Sequence, residues 1–440
     1  MFSVDDKKQL MGLVVFVLAC VFLAFMAGIL AAIFKVYPSQ AVFSAVNQIT
    51  ESLDKDAHKG DIHFLYKARN NDSGVTVYRP DEVQPGVTLV TGYWRDASGW
   101  QPAIRLLDFF GKVLHEWQIH PEVIWSESPH HDRVAGLYNK PTSYVHGSML
   151  LPGGDIVFNI EYLGMVRMNA CGEVKWKVPH RLHHSIFQDD EGNFWAAGLY
   201  WREDVVERYV HLKPPFVEET VVQVSPEGEI LREISVLDAL YSSGYEGTFA
   251  THKKNYDLTH MNDVEVLSAE LAIKFPMFNP GDILVSLRNY SMVIVIDGKT
   301  EKVKWDFQHP LIHQHDADFE LDGHIVIFDN NDDTTRDGSL WGRTQLLRVD
   351  PATKAYERIY PTDDSQLLYT QEGGKHQLLA NGNRLITEAN AGRVIEVSPA
   401  GETVWNWVIE SRDGEFLPEV LEGTRYPKHM VEFTASLDCR

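Results

Sequence analysis

The chain has 440 residues, 62 of them acidic and 40 basic, for a formal net charge of −22. That balance excludes nucleic acid as a partner and a polybasic grip on anionic lipid, so an anionic substrate has to be drawn by a local cluster of arginine and histidine. An apolar fraction of 44% allows a sizeable core, and Cys20, Cys171 and Cys439 have no metal-type spacing.

From Leu10 to Phe34 the chain carries neither charge nor proline. A helix of that length, rising about 1.5 Å per residue, spans a hydrocarbon core of roughly 30 Å. Lys7 and Lys8 precede the run and Lys35 follows it, which places residues 1–9 in the cytoplasm by the positive-inside rule. The run is longer than the ~7–15 apolar residues of a cleaved signal peptide, and its continuation past Cys20 argues against a lipoprotein cleavage site. The expectation is an uncleaved signal anchor over residues 10–34 in the inner membrane, with everything after it in the periplasm or outside the cell. Residues 35–81 read as a stalk and connector. Val42, Phe43, Val46, Ile49 and Leu53 recur there at helical spacing, a face that suits a short stalk helix or pairing with a second copy. Cys171 and Cys439 are expected as two free thiols, with a disulfide in an oxidising compartment as the alternative.

Residues 82–440 are built of repeats. Five segments begin at His146, His184, His260, His315 and His376, and each continues as alternating strands broken by Gly turns; a sixth, without the histidine, runs from Val87 to Ile119. The turns are hairpin chemistry, as in Asn381-Gly382 and Asp322-Gly323. One such unit cannot bury both its faces, so the units stack radially. The fold class is therefore all-β: a six-bladed β-propeller preceded by an N-terminal transmembrane helix and a short stalk. Trp117, Trp176, Trp305 and Trp405 fall at outer-strand positions and read as core. The repeated histidine opens the innermost strand of its blade, so successive copies converge on one mouth of the axial channel. For His146 the expectation is a structural bond, and for His260, His315 and His376 a functional role.

The strings around those three histidines resemble the arylsulfotransferase family, of the bacterial type that does not use a nucleotide sulfate donor. They are Thr259-His260-Met261-Asn262, Ser286-Leu287-Arg288-Asn289, Gln314-His315-Asp316-Ala317 with Phe328-Asp329-Asn330, Trp341-Gly342-Arg343, and Asn381-Gly382-Asn383 after His376. The resemblance covers roughly residues 85 to 410. It implies a propeller that passes a sulfuryl group from an aryl sulfate to a phenolic or other hydroxyl acceptor through a sulfated histidine. Carried over by motif, His260, His315 and Arg343 would be catalytic, and His376, by its order in the last blade, would be the nucleophile. Arg288, Asn262 and Asn330 would bind substrate. The resemblance implies no cofactor and no metal. The chemistry suits these residue types, because imidazole is a competent nucleophile and Arg offers a planar fork to sulfate oxygens. Asp263 and Asp316 make the mouth more acidic than an anion site prefers.

Three other readings fit the same residues. An anchored propeller can be a non-catalytic scaffold or binding module of a cell-envelope assembly, a reading that gains if Arg343 points away from the histidines. Three neutral imidazoles around one channel also suit zinc or copper, with Asp316 or Asp263 completing the set. A quinone-dependent dehydrogenase is the last. Gly298-Lys299-Thr300 is a hairpin turn and not a phosphate loop, because Val293 stands where the first glycine belongs.

Overall fold

The computed structural model describes residues 16–26, 28, 63–69, 71–96, 99–130, 144–251, 256–335, 338–364, 366–411, 414–435 and 437–439. The chain divides into two compact units, Met1–His63 and Phe64–Arg440. In the first, residues 16–26 form an exposed helix. Among the described residues no helix is long and apolar enough to cross a membrane. The rest of the anchor expected over 10–34, and the stalk helix expected after it, lie outside the described residues.

The second unit is a six-bladed β-propeller, each blade an antiparallel sheet. From the axis outward, blade 2 runs Val145–Leu150, Ile156–Ile160, Gly164–Met168 and Val174–Val178. Blade 3 runs Leu182–Gln188, Phe194–Arg202, Phe216–Val224 and Ile230–Ser235. Blade 4 runs Met261–Val266, Ile283–Leu287, Met292–Ile296 and Val303–Phe307. Blade 5 runs His315–Phe319, Ile325–Asp329, Gln345–Val349 and Tyr356–Tyr360. Blade 6 runs Lys375–Leu378, Arg384–Glu388, Arg393–Val397 and Thr403–Val408.

Blade 1 closes the ring. Its outer three strands are Val87–Asp96, Gly99–Leu107 and Val113–Gln118, but its innermost strand is Val420–Tyr426 from the other end of the chain. The register runs from Tyr426 opposite Val87 to Val420 opposite Gly92. In return, Gly74–Tyr78 adds a fifth strand to the outer edge of blade 6, pairing with Thr403–Val408. The described residues of 64–81, read from the sequence as connector, thus belong to the propeller, because this strand covers an edge that would otherwise stand open. Each innermost strand contacts the innermost strands of both neighbouring blades, round a closed ring.

Between blades the packing repeats. Trp117, Trp305 and Trp405 are buried in the fourth strands of their blades, and Trp176 is partly buried at the same position of blade 2. Each donates its indole N–H to a carbonyl in a turn of the next blade: Asn169, Pro351, Phe109 and Pro226 respectively. An aromatic that fills the gap between two sheets and bonds across it sets the rotation from one blade to the next.

The cysteines depart from expectation. Cys171 and Cys439 are joined in a disulfide. The physical reason is the C-terminal tail, which follows the closing strand as a 3₁₀ segment, Lys428–Ala435. Its Phe433 packs against His115 and Trp117 of blade 1 and fills the space over Gly154 of blade 2, where a Cβ would lie 2.5 Å from the ring. So seated, the tail delivers Cys439 to the blade 2 turn that carries Cys171. The bond closes a sequence separation of 268 residues, a long loop to remove from the unfolded ensemble. Replacing either cysteine by serine is expected to lower stability by roughly 2–5 kcal/mol without changing the secondary structure. Denaturant unfolding of the oxidised chain beside the variant measures this, and equal midpoints would contradict it.

Candidate active site

The mouth follows from strand direction. In an antiparallel blade the start of the innermost strand lies beside the end of the second, so both deliver residues to the same end of the channel. At that end five of the six innermost strands share an irregularity. Register shifts fall between His146 and Ser148, His183 and Ile186, Met261 and Asp263, His315 and Ala317, and Val420 and Glu422. Bulges of this kind re-aim side chains at the rim of a sheet. The backbone is left-handed at Gly147, His184, His260 and Asp316, a conformation that costs a non-glycine residue about 1–3 kcal/mol and persists where its surroundings dictate it. Gly147 has a second reason to be glycine. A Cβ there would lie 2.0 Å from the His184 carbonyl, so its absence lets blades 2 and 3 bring His146 and His184 together.

Four histidines meet as a result. The ring centroids of His146 and His184 are 4.5 Å apart, those of His183 and His184 5.0 Å, and those of His184 and His260 5.1 Å. Burial pushes His146 down to about 4, His183 to about 3 and His184 well below the ordinary imidazole value; their mutual repulsion acts in the same direction for His183 and His184. These rings are therefore neutral near pH 7. His260 differs. It keeps 23% of its side-chain surface open at the mouth, and its Nδ1 lies 2.5 Å from Asp257 Oδ2. Burial pushes the Asp257 carboxyl up, but the hydrogen bond and charge of His260, with help from His183 and Arg288, outweigh it and hold the group below its usual value. In the neutral form of the His260 ring, an ionised Asp257 keeps the proton on Nδ1 and leaves the lone pair on Nε2.

His315 is held on both sides. Asn330 donates its amide hydrogens to the carbonyls of Thr370 and Gly373, which leaves its Oδ1 to accept from His315 Nδ1 at 2.7 Å. His315 Nε2 then accepts from the Gly373 N–H at 3.2 Å. Asn330 thus positions His315, and both imidazole nitrogens are engaged. Burial first, and the Arg288 charge next, lower the His315 pKa well below its ordinary value.

His376 stands in a different place from the other repeated histidines. It pairs opposite Ile386 without a bulge, and its side chain is fully buried between two carboxylates of blade 5. Asp316 Oδ2 accepts both from His376 Nδ1 and from its backbone N–H, each at 2.6 Å, and Asp318 lies 3.6 Å from Nε2. Lys375, next to it, reaches Glu422 at 2.5 Å. Arg343, in the long loop between the second and third strands of blade 5, donates to the carbonyl of Asp364, on a segment beyond that blade's outermost strand. The arginine whose charge reaches the histidines is Arg288, at the end of the second strand of blade 4. Asn262 gives its Nδ2 to the Gln314 carbonyl and keeps a buried, unpartnered Oδ1.

His146 and His315 also line a cavity of about 30 Å³ to which all six blades contribute, with Ser185, Asn262, Lys375 and Glu422. That volume is room for water. Asp263 and Asp316, which line it, are buried and not solvated loop residues. Burial lifts Asp263 to about 6 and Asp316 to about 7.

Several residues of this site carry no signal in the sequence. Asp257 lies in an insertion without strand periodicity, three residues before His260, and that spacing is its one cue. His183 is hidden beside His184, and Glu161 and Glu219 sit in strings that read as ordinary turn and strand.

The fold and site define a six-bladed propeller with a histidine-lined axial mouth. Over residues 147–411, more than half its length, the chain matches the arylsulfotransferase (ASST) family, and it belongs to that family. No curated protein matches it. Among solved structures it is similar to a protein of unknown function from Bacteroides caccae, at 12% identity and a TM-score of 0.47, covering 73% of this chain and 93% of that one. It is also similar to a streptogramin B lyase, at 11% identity and a TM-score of 0.40, covering 82% and 96%, and to virginiamycin B lyase from Staphylococcus aureus, at 11% and 0.39, covering 79% and 97%. Likeness at that level carries no argument about function.

The protonation state of His315 is testable. An unfolded imidazole titrates near ~6.5, and the folded ring well below that. Between the two values the unfolded chain binds a proton that the folded chain does not. The stability contributed by this ring is therefore complete above ~6.5 and is lost as pH falls through the folded value. Labelled-histidine NMR is expected to find His315 still neutral at about pH 5.5; a midpoint near 6.5 would contradict the locked arrangement.

Proposed function

We propose that the chain moves a sulfuryl group from an aryl sulfate to a phenolic or other hydroxyl acceptor at this mouth, with His260 as the nucleophile. The observation that carries the reading is the His260–Asp257 pair, an imidazole held at Nδ1 by a carboxylate and partly open at its side chain, beside neutral histidines. Membership of the arylsulfotransferase family supports the reaction class.

The chemistry divides into two balanced steps. His260 Nε2 attacks sulfur, and the N–S bond forms as the bond from sulfur to the phenol oxygen breaks, its electron pair leaving on the phenolate. The acceptor oxygen then attacks sulfur, the N–S bond breaks, and the imidazole recovers its lone pair. The acceptor's proton goes to the released phenolate or to water. Such transfer asks the protein for charge placement and alignment more than for covalent work. Asp257 stabilises the positive charge that builds on the His260 ring, and Arg288 is the cation near enough to face the sulfuryl oxygens. His376, fully buried between Asp316 and Asp318, is assigned a positioning role in blade 5–blade 6 packing.

We further propose that the apolar run 10–34 anchors the chain in the inner membrane with the propeller outside the cytoplasm. The run's length and lack of charge support the anchor. The Cys171–Cys439 disulfide supports an oxidising compartment, where an aryl sulfate, unlike a nucleotide donor, is accessible.

Transfer from a chromogenic aryl sulfate to a phenol tests the assignment. His260→Ala is expected to abolish turnover, Asp257→Asn to lower kcat by about 100-fold or more, and Arg288→Gln to lower kcat/KM by about tenfold or more. Arg343→Ala is expected to stay within about threefold of the unmodified chain. Loss of activity in Arg343→Ala with retention in His260→Ala would overturn the assignment, and no turnover by folded protein over a panel of donors would favour a binding propeller.

A further inference from the structure

We propose that the mouth holds a site for one divalent transition-metal ion of the zinc class, ligated by His146, Glu161 and His184 with His183 as a fourth donor. The donors converge from three places that the fold sets independently. His146 and His184 stand at the bulges of adjacent blades, and Glu161 follows the second strand of blade 2. One carboxylate oxygen, Glu161 Oε1, lies 4.0 Å from His146 Nδ1 and 3.6 Å from His184 Nδ1, and the three ligand atoms all lie within 4.8 Å of one another. An ion bound at about 2.0–2.2 Å wants its donors roughly 3.0–3.5 Å apart, so closing the site takes small side-chain rotations and no backbone movement. The backbone is already committed to this meeting, through left-handed His184 and the side-chain-free approach of Gly147.

The second observation is the histidine behind the cluster. His183 Nδ1 lies 2.7 Å from His184 Nδ1, and His183 Nε2 is buried without a hydrogen-bond partner, 3.6 Å from Glu219 Oε1. With the site empty, two lone-pair positions face each other and must share one proton. With an ion present, both lone pairs point at the metal and His183 keeps its proton on Nε2, directed at Glu219. That is the carboxylate–histidine–metal relay by which proteins orient imidazole ligands. Among the described residues the ion-pair partners of Glu161 are these two histidines, and a bound ion would supply the cation that keeps its buried carboxylate ionised. A set dominated by imidazole selects zinc, cobalt, nickel or iron over calcium and magnesium, which prefer oxygen. The other His–carboxylate group on the axis, Asp316 with Asp318 and His376, is less suited, since Asp316 Oδ2 already accepts two hydrogen bonds from His376.

An ion here stands beside the proposed nucleophile, whose ring is 5.1 Å from that of His184. It provides positive charge at the mouth, where Arg343 provides none. That role, though not the binding itself, rests on the sulfuryl-transfer reading. The test is cobalt titration of the full-length chain after chelator treatment, read by the visible absorption of bound Co(II) and by competition with Zn(II). One equivalent is expected to bind, with magnesium and calcium unable to compete. Glu161→Gln and His146→Gln are each expected to weaken binding at least tenfold, and Glu219→Gln about tenfold, with thermal unfolding confirming that each variant is folded. His313→Ala, an exposed histidine paired with Asp332 outside the cluster, is expected to change nothing. Absence of a Co(II) spectrum, or binding unaltered in folded Glu161→Gln and His146→Gln, would overturn the site. Metal binding without sulfuryl transfer upholds the ion and removes the preceding reading; transfer by a chain that binds no ion does the reverse.

Discussion

The structure depends on how the innermost edges of six sheets are satisfied. In a closed propeller each innermost strand pairs on one side only, and no further strand can enter at the axis to take up its remaining amides. Such edge groups are costly to bury unmet. Here side chains from the preceding blade meet them. Glu422 accepts from Ser148 N, Glu219 from Met261 N, Ser185 from Val264 N, Asp263 from Ala317 N, Glu265 from Phe319 N and Asp316 from His376 N. The acidic character of the channel is thus part of the closure, a set of hydrogen bonds passed from blade to blade, and not a field that repels anions from a solvated mouth.

The same closure decides the chemistry of the histidines. Held among buried carboxylates and other imidazoles, His146, His183, His184 and His315 remain neutral, because a charged ring would lose water without gaining an adequate partner. One imidazole is placed differently. His260 sits at the rim, partly open, with an ionised carboxylate on its far nitrogen. On the proposed reading, pairing the more open of these imidazoles with a carboxylate separates the residue that reacts from those that frame it.

How far the sequence revealed this varies with the scale of the feature. The blades were legible because alternation and Gly turns repeat along the chain, and Trp117, Trp176, Trp305 and Trp405 mark outer strands by the same regularity. Ring closure was not, since Val420–Tyr426 pairs with a strand more than three hundred residues away, and nothing local in either says so. The convergence of His146, His184, His260 and His315 followed from repeat position. His376 shares the repeat in sequence, yet the absence of a bulge turns it into the wall. Arg343 shows the limit of motif order: its neighbours fit the family pattern, but the loop conformation sends its guanidinium to the Asp364 carbonyl. Asp257, Glu161 and Glu219 become visible only once distant segments have been brought together.

The proposed reacting imidazole is His260. It is tested most directly by mixing the full-length chain with an aryl sulfate in the absence of acceptor, quenching under alkaline conditions and locating any added sulfuryl group by peptide mass spectrometry. One adduct per chain is expected on the peptide carrying His260, and it disappears when a phenol is added before the quench. An adduct on His376 or His315, or steady turnover with no adduct on any histidine, would contradict it.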